Sequence, residues 1–220
     1  MNLPRRIAAE FLATAFLLCA VVGSGIMGER LAGGNTAIAL LANTLATGAA
    51  LVALILTFGP ISGAHMNPAV TLSAAILDDL TWREVPAYIS AQVVGGYVGV
   101  AAANTMFGLP VLFASQHERS GMAQVFSEFV ATFGLLFVVW GVVRTRPTAV
   151  AFAVAAYITA AYWFTSSTSF ANPAVTLARS MSDTFAGIRP TDAPWFIIAQ
   201  FCGAASATLL LRWLIPKGSK

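Results

Sequence analysis

The hexapeptide Asn-Pro-Ala-Val-Thr-Leu occurs twice in this chain, at residues 67–72 and at residues 172–177. Asparagine is a favoured N-cap and proline a favoured first helical residue, so each copy predicts the start of a helix. The apolar stretches 68–77 and 173–181 hold about ten residues each, or about 15 Å of helix. A helix of that length crosses only half of a hydrocarbon core about 30 Å thick. In a membrane, the two copies predict a pair of re-entrant half-helices.

The composition places the chain in a membrane. Of its 220 residues, 58% are hydrophobic and 10% are charged, and the mean hydropathy is +0.78. Soluble chains are about one quarter charged, and disordered chains combine low hydrophobicity with high charge, so both classes are excluded. The net charge of +3 does not indicate nucleic acid, because the charges lie singly or in pairs between apolar runs. Cys19 and Cys202 belong to no CxxC or Cys/His cluster, so we expect no metal or cofactor.

Six stretches are long and apolar enough to cross a bilayer as helices. They cover residues 6–27, 35–58, 83–107, 122–143, 148–166 and 194–215. Polar segments at 59–63 and 165–169 precede the half-helices and predict irregular backbone, which survives at membrane depth only against protein or a water-filled cavity. All five tryptophans lie near span ends and predict an aromatic belt: Trp82, Trp140, Trp163, Trp195 and Trp213.

The order of landmarks along the chain repeats. Residues 10–14, Glu-Phe-Leu-Ala-Thr, return at 128–132 as Glu-Phe-Val-Ala-Thr, and an Ala-Gln pair at 91–92 returns at 199–200. Each half holds three spans, an odd number, so the second half must be inverted relative to the first. We predict one domain over residues 1–220, with a first repeat at 1–115 and an inverted second repeat at 116–220.

Basic residues orient the predicted helices. If both termini lie on one side, that side holds eight Arg and Lys residues and the other side holds four. The first group is Arg5, Arg6, Arg83, Arg144, Arg146, Arg212, Lys217 and Lys220, and the second is Arg30, Arg119, Arg179 and Arg189. The positive-inside rule therefore predicts that both termini are cytoplasmic.

Inversion would bring the two half-helix N-termini together near the bilayer centre. The positive ends of both helix dipoles then point at one spot and repel cations and protons. The Asn67 and Asn172 amides can donate hydrogen bonds to a neutral solute there. The alternative is that each Asn-Pro simply caps an ordinary short helix. Two identical copies in an inverted repeat favour the pore.

With these motifs the chain resembles the aquaporins, the major intrinsic protein family, over nearly its whole length. The resemblance implies a right-handed bundle of six transmembrane helices and two half-helices. It also implies a homotetramer with one pore in each subunit, in contact with the lipid bilayer. The implied pore motifs are Asn67, Pro68 and Ala69 together with Asn172, Pro173 and Ala174.

Three polar residues near these motifs each have two interpretations. Glu10 and Glu128 lie inside spans, where a carboxylate needs partners. They could relay protons in a coupled transporter, but their symmetry and the family resemblance favour a structural role as acceptors for the irregular lead-ins. His65 could titrate and gate the pore; packing against the re-entrant loop is the favoured alternative.

The predicted selectivity filter departs from that of most aquaporins. Most members place arginine directly after the second motif, where this chain has Val175. Spacing from the motif asparagines assigns the other filter positions to Thr47, Ala160 and Ser169, all small residues. We expect a wide constriction without a fixed positive charge, in which cation exclusion rests mainly on the half-helix dipoles. Arg179, one turn beyond Val175, is expected to face the vestibule or a loop partner.

Residues 168–179 resemble, more narrowly, the bacterial aquaporins associated with arsenic-resistance genes. This implies a passive channel in a bacterial inner membrane that passes arsenous acid and methylated arsenicals, with glycerol-like solutes and some water. The alternatives are a general glycerol and water facilitator, and a proton-coupled transporter that uses Glu10 or Glu128. An enzyme is not expected, because His65 and His117 lack acidic or thiol partners at ligand spacing.

Overall fold

A computed structural model describes residues 1–214, and every regular element in that range is helical. Its elements are α1 (Leu3–Leu31), α2 (Thr36–Ser62), α3 (Pro68–Ile76), α4 (Val85–Met106), α5 (Met122–Thr145), a 3₁₀ turn (Pro147–Ala149), α6 (Val150–Phe164), α7 (Pro173–Arg179) and α8 (Ala193–Leu214). Six of the helical segments are long and apolar enough to cross a membrane. The predicted all-α architecture is confirmed. Lys217 and Lys220, which contributed to the predicted orientation, lie outside the described residues.

The helices differ from the predicted spans mainly at their ends. Helix α1 begins at Leu3 because Asn2 caps it, its side chain accepting a hydrogen bond from the Arg5 N–H at 3.3 Å. Helix α2 continues through Pro60 to Ser62, so the prediction of irregular backbone at 59–62 is wrong. A proline removes only one backbone donor, and the helix ends where Gly63 adopts a left-handed φ of 92°.

The two half-helices begin where the sequence predicts and are short. Helix α3 has nine residues and α7 has seven, and a proline occupies the first turn of each. The Asn67 side-chain Oδ1 accepts from the Ala69 N–H at 2.9 Å, and the Asn172 Oδ1 accepts from the Ala174 N–H at 3.0 Å. Each motif asparagine is therefore the N-cap that starts its half-helix.

Close helix packing repeats between the two halves of the described chain. Helix α1 packs on α2 and α4, and α5 packs in the same way on α6 and α8. Gly95 lies so near α1 that an added Cβ would overlap the Phe11 carbonyl oxygen, and at Gly203 it would overlap the equivalent Phe129 carbonyl oxygen of α5. These approaches hold α1 and α5 against the helices that follow the half-helices, with Glu10 and Glu128 turned into the interior.

Four of the five tryptophans are exposed, as an aromatic belt requires. Trp82, Trp163, Trp195 and Trp213 are exposed on the outer surface. The assignment of Trp140 to the belt is wrong, because its side chain is buried and its Nε1 donates to the Ser73 hydroxyl at 2.7 Å. Trp140 connects α5 to the first half-helix, α3.

Candidate pore and selectivity filter

The first half-helix is preceded by an irregular loop that a buried carboxylate organises. Glu10 on α1 is fully buried. Its Oε1 accepts from the His65 N–H at 2.9 Å, and its Oε2 accepts from the Met66 N–H at 2.7 Å. The Ser62 hydroxyl and the Gln92 amide also donate hydrogen bonds to this carboxylate, at 2.7 and 2.8 Å. Loop donors that have no partner in a helix are thus satisfied at membrane depth.

The second half of the chain repeats this arrangement. Glu128 on α5 is also fully buried, and it accepts from the Phe170 and Ala171 N–H groups at 2.9 and 2.8 Å. Gln200 donates to the same carboxylate at 2.6 Å and to the Thr176 hydroxyl at 2.9 Å. These contacts fit the structural role expected for the two acids. The sequence pattern identifies Gln92 and Gln200 only as repeated residues and does not predict their contact with the carboxylates.

The two motif asparagines bind each other's loops. The Asn67 Nδ2 donates to the Ala171 carbonyl at 2.8 Å, and the Asn172 Nδ2 donates to the Met66 carbonyl at 2.7 Å. Each amide nitrogen carries two hydrogens, so one holds the opposite loop and the second is free for a solute. The structure therefore brings the two predicted motifs face to face.

A cavity of about 390 Å³ passes this meeting point. Its lining includes Arg6, Asp79 and Leu80, and also the predicted filter residues Thr47, Ser169 and Val175. Both motif asparagines and His65 contribute to its wall as well. The opposite wall is apolar and comes from α1, α2, α5 and α6: Leu17, Val21, Leu51, Ile55, Leu135, Val139, Val154 and Ile158.

The polar wall also carries carbonyl acceptors. The carboxylates take the N–H groups of both loops, and no described residue donates a hydrogen bond to the carbonyls of Ala64, His65, Ser169 or Phe170. All of these residues line the cavity. A passing solute therefore meets acceptors before and after the asparagine donors, and an apolar surface on its other side.

Comparisons with known proteins agree with this geometry. The family model "Major intrinsic protein" matches residues 1–148 and 143–220. The chain belongs to the major intrinsic protein family. It is therefore a multi-pass membrane channel for solutes and water and not an enzyme.

Three relatives illustrate the membership. The chain is 54% identical to aquaglyceroporin AqpS of Rhizobium meliloti over 214 residues, which is 97% of this chain and 91% of that protein. It is 36% identical to aquaporin NIP6-1 of Arabidopsis thaliana over 143 residues, 64% of this chain and 46% of the relative. The solved structure of the aquaglyceroporin from Plasmodium falciparum shares the fold, with a TM-score of 0.79, 22% identity and 98% coverage of both chains.

Three of the four residues predicted for the filter line the cavity. Thr47, Ser169 and Val175 are buried and line the cavity. The Ser169 Oγ is buried and has no hydrogen-bond partner among the described residues. Ala160 does not line the cavity; it is exposed on the outer side of α6. The residue of α6 that faces Thr47 is Tyr162, with 3.3 Å between the two hydroxyl oxygens.

The error at Ala160 has a geometric cause. Residues of α6 that line the cavity recur every four positions, at Val150, Val154, Ile158 and Tyr162. Ala160 lies two residues from Tyr162, about 200° around a helix with 3.6 residues per turn. Spacing counted back from Asn172 crosses the irregular loop, whose length sets which face of α6 meets the pore. The four-residue recurrence within α6 was the signal that could have identified Tyr162.

Arg179 lies nearer the filter than expected. Its Nε donates to the Ala186 carbonyl, which fits the expected loop partner. However, the side chain also lines the cavity, and its guanidinium carbon lies 3.4 Å from the centroid of the Phe170 ring. The expectation that the cavity lacks a fixed positive charge beside Val175 is therefore wrong.

His65 lies in the cavity wall. Its Nδ1 lies 3.2 Å from the Thr71 hydroxyl, and its ring centroid lies 5.4 Å from that of Tyr88. These contacts pack the imidazole against α3 and α4 and leave part of it in the cavity wall. They favour the packing interpretation over gating.

Replacing the second carboxylate tests its role as an acceptor. We expect Glu128→Gln to lower the free energy of unfolding by about 1–3 kcal/mol, because an amide NH₂ would face N–H donors and leave one unsatisfied. Thermal unfolding in detergent measures the effect. Glu29→Gln, at an exposed position of α1, is the matched control and should be neutral. Equal stability of the two variants would contradict the structural role.

Two tryptophan substitutions test which residues face the filter. Thr47→Trp should lower glycerol flux into proteoliposomes by about tenfold or more, because the ring would fill the constriction between α2 and α6. Ala160→Trp should leave the flux unchanged, because that side chain points away from the cavity. The reverse result would restore Ala160 to the filter and remove Thr47.

Proposed function

We propose that this channel passes small uncharged polyhydroxyl solutes, with arsenous acid as the main solute, methylated arsenicals and glycerol-like molecules beside it, and some water. The observation that carries the proposal is the filter, in which Val175 replaces the usual bulky cation while the Thr47 and Tyr162 hydroxyls offer hydrogen bonds. The resemblance of residues 168–179 to arsenic-resistance-associated channels supports the choice of solute.

The cavity walls suit a solute with hydroxyl groups on one side. Such a molecule loses water on entering, and each unpaired polar group would cost free energy. Its hydroxyls can donate to the free carbonyls of residues 64, 65, 169 and 170 and accept from the Asn67 and Asn172 amides. Its less polar face meets Leu51 and Ile158 on the opposite wall. Trivalent arsenous acid and glycerol both fit this description.

Proton coupling through the buried acids is less well supported. Glu10 and Glu128 each accept from two backbone N–H groups and from a glutamine. Protonation would replace an acceptor with a donor and oppose the loop N–H groups. A carboxylate that must release its partners to bind a proton is a poor relay. We therefore propose a channel without coupling to a proton gradient.

We also propose a topology and an assembly for the channel. The repeats at 1–115 and 116–220 would form one pore in a bacterial inner membrane, with both termini cytoplasmic. Among described residues, Arg119 and Arg179 on the opposite side are buried and are not free loop charges, which strengthens the asymmetry behind the orientation. The family resemblance supports a homotetramer.

Solute-specific flux after Val175→Arg tests the proposed function. Wild type in proteoliposomes should pass both arsenous acid and glycerol, at rates unaffected by an imposed pH gradient. Val175→Arg should lower both fluxes by about tenfold or more and spare part of the water flow, because the guanidinium narrows the constriction. Stopped-flow volume changes measure all three. Val175→Leu is the uncharged control and should retain arsenous acid flux.

Each component of the proposal has its own contradicting outcome. Glycerol flux without arsenous acid flux in wild type would support a general facilitator. Flux driven by the pH gradient would support a coupled transporter. An unchanged arsenous acid flux in Val175→Arg would show that residue 175 does not set the width of the constriction.

The proposed topology and assembly can be measured together. A cysteine placed at Asn2 in a chain with Cys19 and Cys202 replaced by serine should resist a membrane-impermeant maleimide in intact cells and react after permeabilisation. A cysteine at exposed Gly34, in the turn after α1, should react in intact cells. Light scattering of the purified protein should give four copies of the 23.0 kDa chain. Labelling of Asn2→Cys in intact cells would reverse the orientation.

A further inference from the structure

We infer that Arg179 supplies the cation barrier of the pore, from a position one helical turn beyond the residue that usually carries it. In this arrangement Val175 sets the width of the filter and Arg179 sets its charge. The inference rests on the proposed passage of neutral solutes and identifies the residue that keeps ions out.

Helix geometry brings the Arg179 side chain back to the filter. Val175 and Arg179 are four residues apart on α7 and therefore share one face of that helix. Side chains on a helix lean towards its N-terminus and cover the preceding turn. The small Val175 leaves space there for the guanidinium. Its position over Phe170, the neighbour of Ser169, shows that the charge lies beside the filter.

The free end of the guanidinium points into the cavity. Arg179 is 2% exposed and lines the cavity wall. Its Nε donates to Ala186, but Nη1 and Nη2 have no hydrogen-bond partner and no ion pair among the described residues. Both nitrogens retain some solvent-accessible surface. The surface that they keep faces the cavity, so their N–H groups and charge are presented to whatever passes.

Arg119 shows what a structural arginine looks like in the same place. It also lies near the Phe170 ring, with its guanidinium carbon 5.0 Å from the ring centroid. Its Nε and Nη1 donate to the carbonyls of Gly187 and Ser167 at 2.7 and 3.3 Å, and its Nη2 donates to that of Phe185 at 3.4 Å. All three nitrogens are therefore occupied by loops, and Arg119 does not line the cavity.

The Phe170 ring fixes the Arg179 guanidinium. A cation over an aromatic face gains electrostatic stabilisation that increases when water is excluded. Phe170 is itself held by Glu128 through its N–H and by the Phe196 ring, 5.3 Å away between centroids. A positive charge fixed in a narrow, weakly screened cavity repels a passing cation strongly. A neutral hydroxylated solute meets only hydrogen-bond donors.

Cation leak across proteoliposomes tests the inference. Arg179→Met keeps the length of the side chain and removes its charge, and it should raise proton and potassium conductance by about tenfold or more. Glycerol flux should persist. Arg119→Met removes an equal charge near Phe170 but outside the cavity lining, and it should leave both conductances at the wild-type level. Voltage-driven proton flux and potassium flux are read in the same vesicles as glycerol flux.

Two further variants cover a failure of Arg179→Met to fold. Arg179→Lys retains the charge and should retain the barrier. The double variant Val175→Arg/Arg179→Met returns the charge to the usual position and should exclude cations while slowing glycerol. Cation leak in the lysine variant, or equal leak in Arg179→Met and Arg119→Met, would overturn the inference.

Failure of the inference is separable from failure of the proposed function. Glycerol flux at the wild-type rate without cation leak in Arg179→Met would assign the barrier to the half-helix dipoles and leave the channel function intact. Absence of neutral solute flux in wild type would instead remove the proposed function.

Discussion

The structure depends on two carboxylates that accept backbone hydrogen bonds at the depth of the membrane. Irregular loops must precede the half-helices, and in hydrocarbon their N–H groups have no water to bind. Glu10 on α1 and Glu128 on α5 accept hydrogen bonds from these loop N–H groups. Because the loop N–H groups bind the carboxylates, the carbonyl oxygens of the same loops remain free to accept hydrogen bonds in the cavity. The hydrogen-bonding capacity of the pore therefore originates in its scaffold.

Symmetry is strict at the centre of the pore and ends at the filter. The asparagines exchange equivalent hydrogen bonds with opposite loops, at 2.8 and 2.7 Å. Beyond the second motif, Val175 and Arg179 lie on a half-helix of seven residues against nine in the first repeat. The proposed filter thus takes Ser169, Val175 and Arg179 from the second repeat and Thr47 from the first, while the features shared by both repeats hold the loops in place.

Most of the fold and part of the site followed from local sequence patterns. Proline after asparagine predicted both half-helices, and apolar length predicted six spans, because each pattern acts within a few residues. Failures occurred where geometry across elements decides. Helix α2 continues past Pro60 and ends only at Gly63, whose left-handed backbone stops it three residues later. Trp140 is buried because its indole bonds Ser73, and Tyr162 faces the pore in place of Ala160 because the loop before α7 sets the register of α6.

The sequence by itself determined the membrane setting, the inverted repeat, the half-helix caps and the small residue after the second motif. All of these are read from composition, spacing and identity along the chain. Only the tertiary structure decided which side chain of α6 meets Thr47, that Gln92 and Gln200 bind the carboxylates, and that the Arg179 guanidinium reaches the cavity. Those contacts join residues 72 to 115 positions apart, or depend on the direction in which a long side chain leaves its helix, and neither is encoded in local spacing.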